Sequence, residues 1–360
     1  MAGRDVEITD GGNLKLYKSG TASPTDSVSI NAPADSASPT GSYALTMPAG
    51  LTANAYLKSP ASGGQLAWNT DEIGFNWINI GAQAGADPTG ATDNSSQMLA
   101  ALEAAQNGDH TVFIPDGTFA VKNIDFDAGD LATGDRKFCI VGADPQSSKL
   151  TVGLDADASS TELFEADGTT LDYLELRNLT IDGKFLKSTG AYRGHGKIIN
   201  VKVKELVIDN CTFTNIGGTD CPALAIADIT NSAHITNSRF TELNPAAATQ
   251  QPPECIVFEN TLSAPAAGSA WPNVVISGNQ FDCKAPASNS GAGAVAIWAD
   301  WTNGYERSLV IENNYFNNCG ANVTAGLAPA IDLVRGAHGA IVRDNVFHAC
   351  LLYTSDAAAE

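Results

Sequence analysis

Four acidic residues recur at nearly one relative place in the second half of the chain. Asp228 follows Leu224-Ala225-Ile226-Ala227, and Glu259 follows Cys255-Ile256-Val257-Phe258. Asp300 stands just after Val295-Ala296-Ile297-Trp298, and Asp332 lies within Ala330-Ile331-Asp332-Leu333. Hydrolysis of a glycosidic bond ordinarily needs two carboxyl groups, one to donate a proton and one to act as nucleophile or base. If the apolar runs stack as strands, neighbours lie about 4.7–4.9 Å apart. Acids on adjacent runs would then fall in the ~5–9 Å range that the two stereochemical courses of hydrolysis use. Crowding of like charges would keep one of them protonated and so supply the acid. The pattern leaves the register open by one residue, and a slip of one turns a side chain to the other face. Solvated acids scattered over an acidic surface are the alternative reading.

Trp298 and Trp301 flank Asp300, and Tyr305 follows. Aromatic faces stack on sugar rings while nearby acids bond hydroxyls, so 298–305 is the expected glycan-contact stretch. The alternative is that Trp298 fills a core and Trp301 shields its edge. Arg335 is a further candidate contact. In a lyase reading it is the base, with Asp300 or Asp332 on Ca²⁺, and only that reading asks for a cofactor.

These residues need a scaffold, and a repeat supplies it. Six segments align without gaps: LELRNLTI (174–181), LVIDNCTF (206–213), AHITNSRF (233–240), VVISGNQF (274–281), LVIENNYF (309–316) and AIVRDNVF (340–347). The first position is small or aliphatic and the third aliphatic in all six, so both face one core. The fifth is Asn178, Asn210, Asn237, Gly278, Asn313 or Asp344, types that tolerate left-handed backbone and mark a tight corner. The eighth is Ile181 and then Phe213, Phe240, Phe281, Phe316 and Phe347, returning to the core after the corner. The final positions are 27 to 41 residues apart, with the variation between units. Such a unit buries its apolar face only by stacking on its neighbours. The corner asparagines are expected to form a side-chain amide ladder from coil to coil. Lys197–Asn200 and the four runs above precede the last five segments, so each coil has at least two strands. The fold class that follows is all-β, a β-solenoid. Less regular coils are expected at 122–154.

Residues 1–72 differ, being rich in Ser, Thr, Pro, Ala and Gly. Alternation at Leu14–Tyr17, Val28–Ile30 and Tyr43–Met47, with a turn at Ser59–Gly64, predicts a small β-rich module ending near Trp68. The same composition also fits an unstructured leader. Asp93 is placed to cap a helix from Ser95 to about Gln106, with Met98, Leu102 and Ala105 on one face. A strand at 110–114 and a turn at Pro115–Thr118 follow. Asp182-Gly183 reads as a turn. The Asn-Leu-Thr and Asn-Cys-Thr sequons at Asn178 and Asn210 fall on corners and read as structural.

Residues 78–121 resemble the opening of the pectate-lyase-like right-handed parallel β-helix superfamily. The matching residues are Gly81, Ala82, Gly85, Asp87, Gly90 and Asp93 before the helix, and Pro115, Gly117 and Phe119 after it. With the repeat, the resemblance covers about 75–350 and implies a right-handed parallel β-helix at 73–350, capped by the helix at about 94–106. Gly194-His195-Gly196 is similar to the GHG of polygalacturonases, but the Asn-Thr-Asp, Asp-Asp and Arg-Ile-Lys of that set are missing, so His195 reads as a loop residue. The N-terminal module resembles a short module of bacteriophage tail-fibre proteins. This layout implies a tailspike in the virion tail. Its β-helix would bind, and could depolymerise, a host surface polysaccharide, and its N-terminal module would meet baseplate or tail proteins. The resemblance also implies a possible homotrimer, since tailspikes of this type commonly trimerise. A pectate-lyase-like or polygalacturonase-like enzyme and a non-enzymatic virion fibre are the alternatives. Residues 351–360 resemble an adapter-derived tail, which implies a truncated reading frame.

Composition sets exclusions. The 360 residues carry 20 Lys+Arg against 40 Asp+Glu, a net charge of −20. A chain this acidic is repelled by nucleic acid and by anionic membrane surfaces. No apolar run approaches the ~20 residues that cross a bilayer, and the N-terminus lacks the pattern of a signal peptide. Seven cysteines without a CxxC pair suggest neither a disulfide framework nor a zinc site. Cys319 and Cys350 each follow a repeat Phe by three residues and are expected to stack as small buried apolar groups.

Overall fold

The structure, a computed structural model, describes the strands at 28–30, 43–45, 56–58 and 67–69. It also describes residues 77–350 except 107–109, 128–130, 132–135, 153–161, 184–186, 189–190, 193–197, 218–221, 228, 242, 245–253, 260–271, 284–294, 301–307, 320, 324–325 and 336–338. The chain divides into two compact units, Met1–Gly74 and Phe75–Glu360. In the first, Val28–Ile30 pairs antiparallel with Tyr43–Leu45, and Tyr56–Lys58 with Ala67–Asn69. The alternation at Leu14–Tyr17 lies outside the described residues.

The second unit is a right-handed parallel β-helix, the hand that parallel crossovers take. Three sheets run its length. Sheet A stacks Ile124–Asp125, the first part of Phe164–Arg177, the first part of Ile199–Asp209, Leu224–Ala227, Glu254–Glu259, Val295–Asp300 and Ile331–Arg335. Sheet B runs from Trp77–Asn79 to Ile341–Arg343 through the first half of each repeat segment. The strands Phe164–Arg177 and Ile199–Asp209 pass through both, so A and B are joined as 14 strands, while sheet C stacks nine. Every pairing in these stacks is parallel, as crossover geometry requires.

The corner between sheets B and C explains the repeat. Asn178, Asn210, Asn237, Asn313 and Asp344 have φ between 50° and 56°, and Gly278 has φ 70°. Asn tolerates this left-handed conformation because its short polar side chain bonds locally. The amide ladder sits one residue further on than expected. At the corner residues, Asn210 donates to Asn178 Oδ1 and Asn237 to Asp209 Oδ1, both on the exposed side. The continuous ladder is Asn279, Asn314 and Asn345: each of the first two donates its side-chain amide to the next one's Oδ1 at 3.0 Å. The backbone N–H of Ser238, Asn279 and Asn314 donates to the Oδ1 of the next member at 2.9 Å. The corner residue sits outside the bend, while the residue after it points into the helix and must find its partners there.

Phe213, Phe240, Phe281, Phe316 and Phe347 form one stack with ring centroids 4.8–5.0 Å apart and planes within 11°. That spacing is simply the rise per coil. Positions one and three of the first five segments fill the same core, for example Leu206 and Ile208, Ala233 and Ile235, Val274 and Ile276, while Val342 of the last segment is exposed.

The helix spans Ser95–Gln106 and buries Met98, Ala101, Leu102 and Ala105 against the first coils. Asp93 Oδ1 accepts the Ser95 N–H, so it caps as expected. The loop before it is folded by Asp87, which accepts the N–H and hydroxyl of both Thr89 and Thr92. Those bonds hold the Asp87 carboxyl far below the usual range. Gly117 is required: its φ is +137°, and an added Cβ would lie 2.7 Å from the Pro88 side chain. The expected turn at Pro115–Thr118 is shorter than predicted, because Gly117–Val121 is already a strand of sheet C. Asp182 ends a strand buried, ion-paired to Lys149 and bonded by Asn215 at 2.8 Å. Gly183 passes close to the Asn215 carbonyl, which an added Cβ would approach to 2.6 Å, so this pair is a packed turn.

Candidate functional site

The candidate residues gather on sheet A, and its register sorts them into two columns. One column runs Asn200, Ala225, Val257, Trp298, Asp332. The other, two residues along and in the same alternation phase, runs Lys202, Ala227, Glu259, Asp300, Arg335. The intervening positions, Ile226, Phe258, Ala299 and Leu333, face the core or pack against it.

This corrects the expected single column of four acids. Among the described residues, only Glu259 and Asp300 of these acids are direct partners on adjacent coils. Asp332 pairs with Trp298 instead, because the run before it begins one residue later relative to the coil. The register also shifts between Ala299 and Asp300, so that Asp300 meets Arg335 and Val334 is left over. Val334 is accordingly exposed, at 47%. Such an irregularity twists a strand and re-aims its side chains.

Trp298 is partly exposed and lies outside the core, whose members beside it are Ile297 and Ala299. The reading of Trp298 as a core filler is therefore set aside. Asp332 is also only partly exposed, and loss of solvent raises its carboxyl above the ordinary range. Asp228, Trp301, Tyr305 and His195 lie outside the described residues. Glu259, Asp300 and Arg335 are placed by their strands, while their side chains lie outside what is described.

The sequence pattern left the neighbours on the N-terminal side of these columns unread. Ala225 and Val257 precede Trp298 and are buried at 2% and 3%, and Asn200 and Lys202 continue the two columns. Their run pattern was visible, but the coil-to-coil alignment that lines them up was not. Among the described residues no group of three or more His, Cys, Asp or Glu converges as a metal site would require. No described helix is long and apolar enough to cross a membrane.

Stacked parallel coils around one apolar core define the class: a parallel β-helix. Among solved structures, the chain is similar to the Streptococcus pneumoniae surface protein and adhesin PfbA, at 14% identity over 76% of this chain and 85% of that chain, with a TM-score of 0.37. It is also similar to the Agl-KA catalytic domain, at 12% identity over 76% of this chain and 68% of that chain, with a TM-score of 0.25. No protein-family model matches the chain, and no curated protein sequence matches it.

Proposed function

We propose that the protein binds a cell-surface polysaccharide along sheet A and hydrolyses it, in the manner of a phage tailspike. One observation carries the reading: the Trp298–Asp332 pair lies beside the Glu259–Asp300 pair on consecutive coils. A stacked sheet face is long and straight, which suits an extended glycan. Trp298 stacks on a sugar ring in this reading. Asp332 donates the proton to the leaving oxygen, because burial favours its neutral form. Asp300 is the second carboxylate. One strand across and about two residues along separate the two Cα atoms by about 8 Å, room for a water between them. Glu259 binds a hydroxyl beside Asp300.

Arg335 is the register partner of Asp300, and in this reading its guanidinium binds the substrate. In this reading unit 1 attaches the spike to baseplate or tail proteins of a virion. The spike trimerises and meets its substrate outside the cell.

The test is release of reducing ends from a panel of bacterial surface polysaccharides. Wild type should release oligosaccharide without any ultraviolet-absorbing unsaturated product. Asp332→Asn and Asp300→Asn should each lower release by about 10²-fold or more while leaving binding in place. Release that survives both substitutions would move the chemistry away from sheet A. An unsaturated product would make the protein a lyase. A folded wild type that neither binds nor cleaves any glycan would reject the reading.

A further inference from the structure

Four thiols form a column through the last coils, and the proposed function uses none of them. Cys255, Cys283 and Cys319 are buried, and Cys350 is half-buried. Cys255 Sγ lies 4.0 Å from Cys283 Sγ, and Cys283 Sγ lies 2.8 Å from Cys319 Sγ. Cys350 continues the column and is hydrogen-bonded to Cys319. The alignment comes from the fold. Asp282 pairs with Asn317, and the extra left-handed corner residue Asn318, with φ 52°, returns Cys319 to the level of Cys283. The corner at Ala349, with φ 50°, does the same for Cys350.

We propose that Cys283 and Cys319 are a disulfide-forming pair, and that Cys350 is the thiol through which a small-molecule disulfide oxidant reaches them. Neighbouring coils place the two α-carbons about 5 Å apart, inside the 4.4–6.8 Å window that a disulfide spans. The half-buried Cys350 thiolate attacks one sulfur of glutathione disulfide. The mixed disulfide forms, and the first glutathione leaves as a thiol. The Cys319 thiolate then attacks Cys350 Sγ and expels the second glutathione. The Cys283 thiolate attacks Cys319 Sγ and expels Cys350 as a free thiol. The balance is two protein thiols and one glutathione disulfide converted to one protein disulfide and two glutathione thiols. Each step is attack of a thiolate on a disulfide sulfur, and the column sets each attacking sulfur next to its target. Burial pushes the Cys255, Cys283 and Cys319 thiols up, and the hydrogen bond with Cys319, followed by burial, pushes Cys350 up, so the relay is slow at neutral pH and quickens as pH rises.

The bond would close the segment 284–318, which contains Trp298 and Asp300. It would therefore tie down the coil that carries the candidate site. It would also resist reduction, since both sulfurs are shielded from outside thiols.

The test is incubation of the full-length protein with oxidised glutathione at pH 8.5, followed by alkylation, digestion and mass mapping. The expected product is a peptide pair joined through Cys283 and Cys319, two hydrogens lighter than the reduced pair, with Cys350 alkylated. The melting temperature should rise on the order of 5–10 °C over the reduced protein. Cys350→Ala should slow the appearance of that pair at least tenfold without changing its identity. The proposal is overturned if all four thiols remain free. It is also overturned if glutathione stays on Cys350, if the only crosslink joins Cys350 to another residue, or if Cys350→Ala leaves the rate unchanged.

Discussion

The B–C corner and the face of sheet A are built by the same coils but under different rules. At the corner, the later coils repeat one side chain at one place: five phenylalanines in one stack and three asparagines in one ladder. On sheet A the two outer columns change residue at each coil, from Asn200 to Asp332 and from Lys202 to Arg335. The phenylalanines and asparagines point inward, so each side chain must match the one above and below it. The outer columns of sheet A are under no such constraint, so they are free to vary. The comparison teaches where to look for function in a solenoid: where the repetition stops, on a wall that the repetition holds flat.

The comparison breaks first at the phenylalanine stack if it is wrong. Phe281 is fully buried between Phe240 and Phe316. Phe281→Ala should cost about 3–5 kcal/mol in urea unfolding. A loss below about 1 kcal/mol would show that the coils do not depend on the stack. Next comes the ladder. Asn314→Leu strands the buried Asn279 N–H and the Ile276 carbonyl, and should cost about 2–3 kcal/mol by the same measurement. A neutral result would mean that relaxation or water replaces the ladder.

A smaller effect of opposite sign sharpens the corner argument. Ala349 holds φ 50° where the equivalent positions two residues after Phe213 and Phe316 are Asn215 and Asn318. Ala349→Gly should therefore stabilise by about 1 kcal/mol, seen as a higher urea midpoint with unchanged slope.

Substitutions on sheet A should be the mildest for stability. Trp298→Ala should shift unfolding by no more than about 1 kcal/mol while weakening glycan binding, measured on the same preparations. Asp332 gives a pH signature. Its folded carboxyl is raised by burial, so the unfolded state ionises first as pH rises from the ordinary value of 3.8. The folded state loses stability relative to the unfolded one across that rise. Asp332→Asn removes the dependence: the variant should match wild type in acid and exceed it slightly at neutral pH. A variant less stable than wild type at neutral pH would mean that the Asp332 carboxylate has a favourable partner.

Much of the scaffold is written locally. The helix at 95–106 needed only Asp93 and the spacing of Met98, Leu102 and Ala105. The corners needed only Asn, Asp or Gly at the fifth position, because left-handed backbone is a property of the residue itself. The phenylalanine stack followed from one aromatic at one position of each coil. The cysteine column was half-visible, in the matching offsets of Cys319 and Cys350 from Phe316 and Phe347, but Cys255 and Cys283 joined it only in three dimensions.

The amide ladder and the acid columns were beyond sequence pattern alone. Which residue after a corner points inward depends on the bend of the chain, so Asn279 and Asn314 were passed over for their neighbours. Which acids meet depends on pairing between coils 27 to 41 residues apart, and an irregularity at Asp300 moves the alignment. The sequence by itself determined the repeat, the corners, the cap and the apolar stacks, because each rests on a residue's own backbone preference or on alternation along one strand. Only the tertiary structure decided that Glu259 meets Asp300 and that Trp298 meets Asp332, because inter-strand register is set by hydrogen bonds between distant segments.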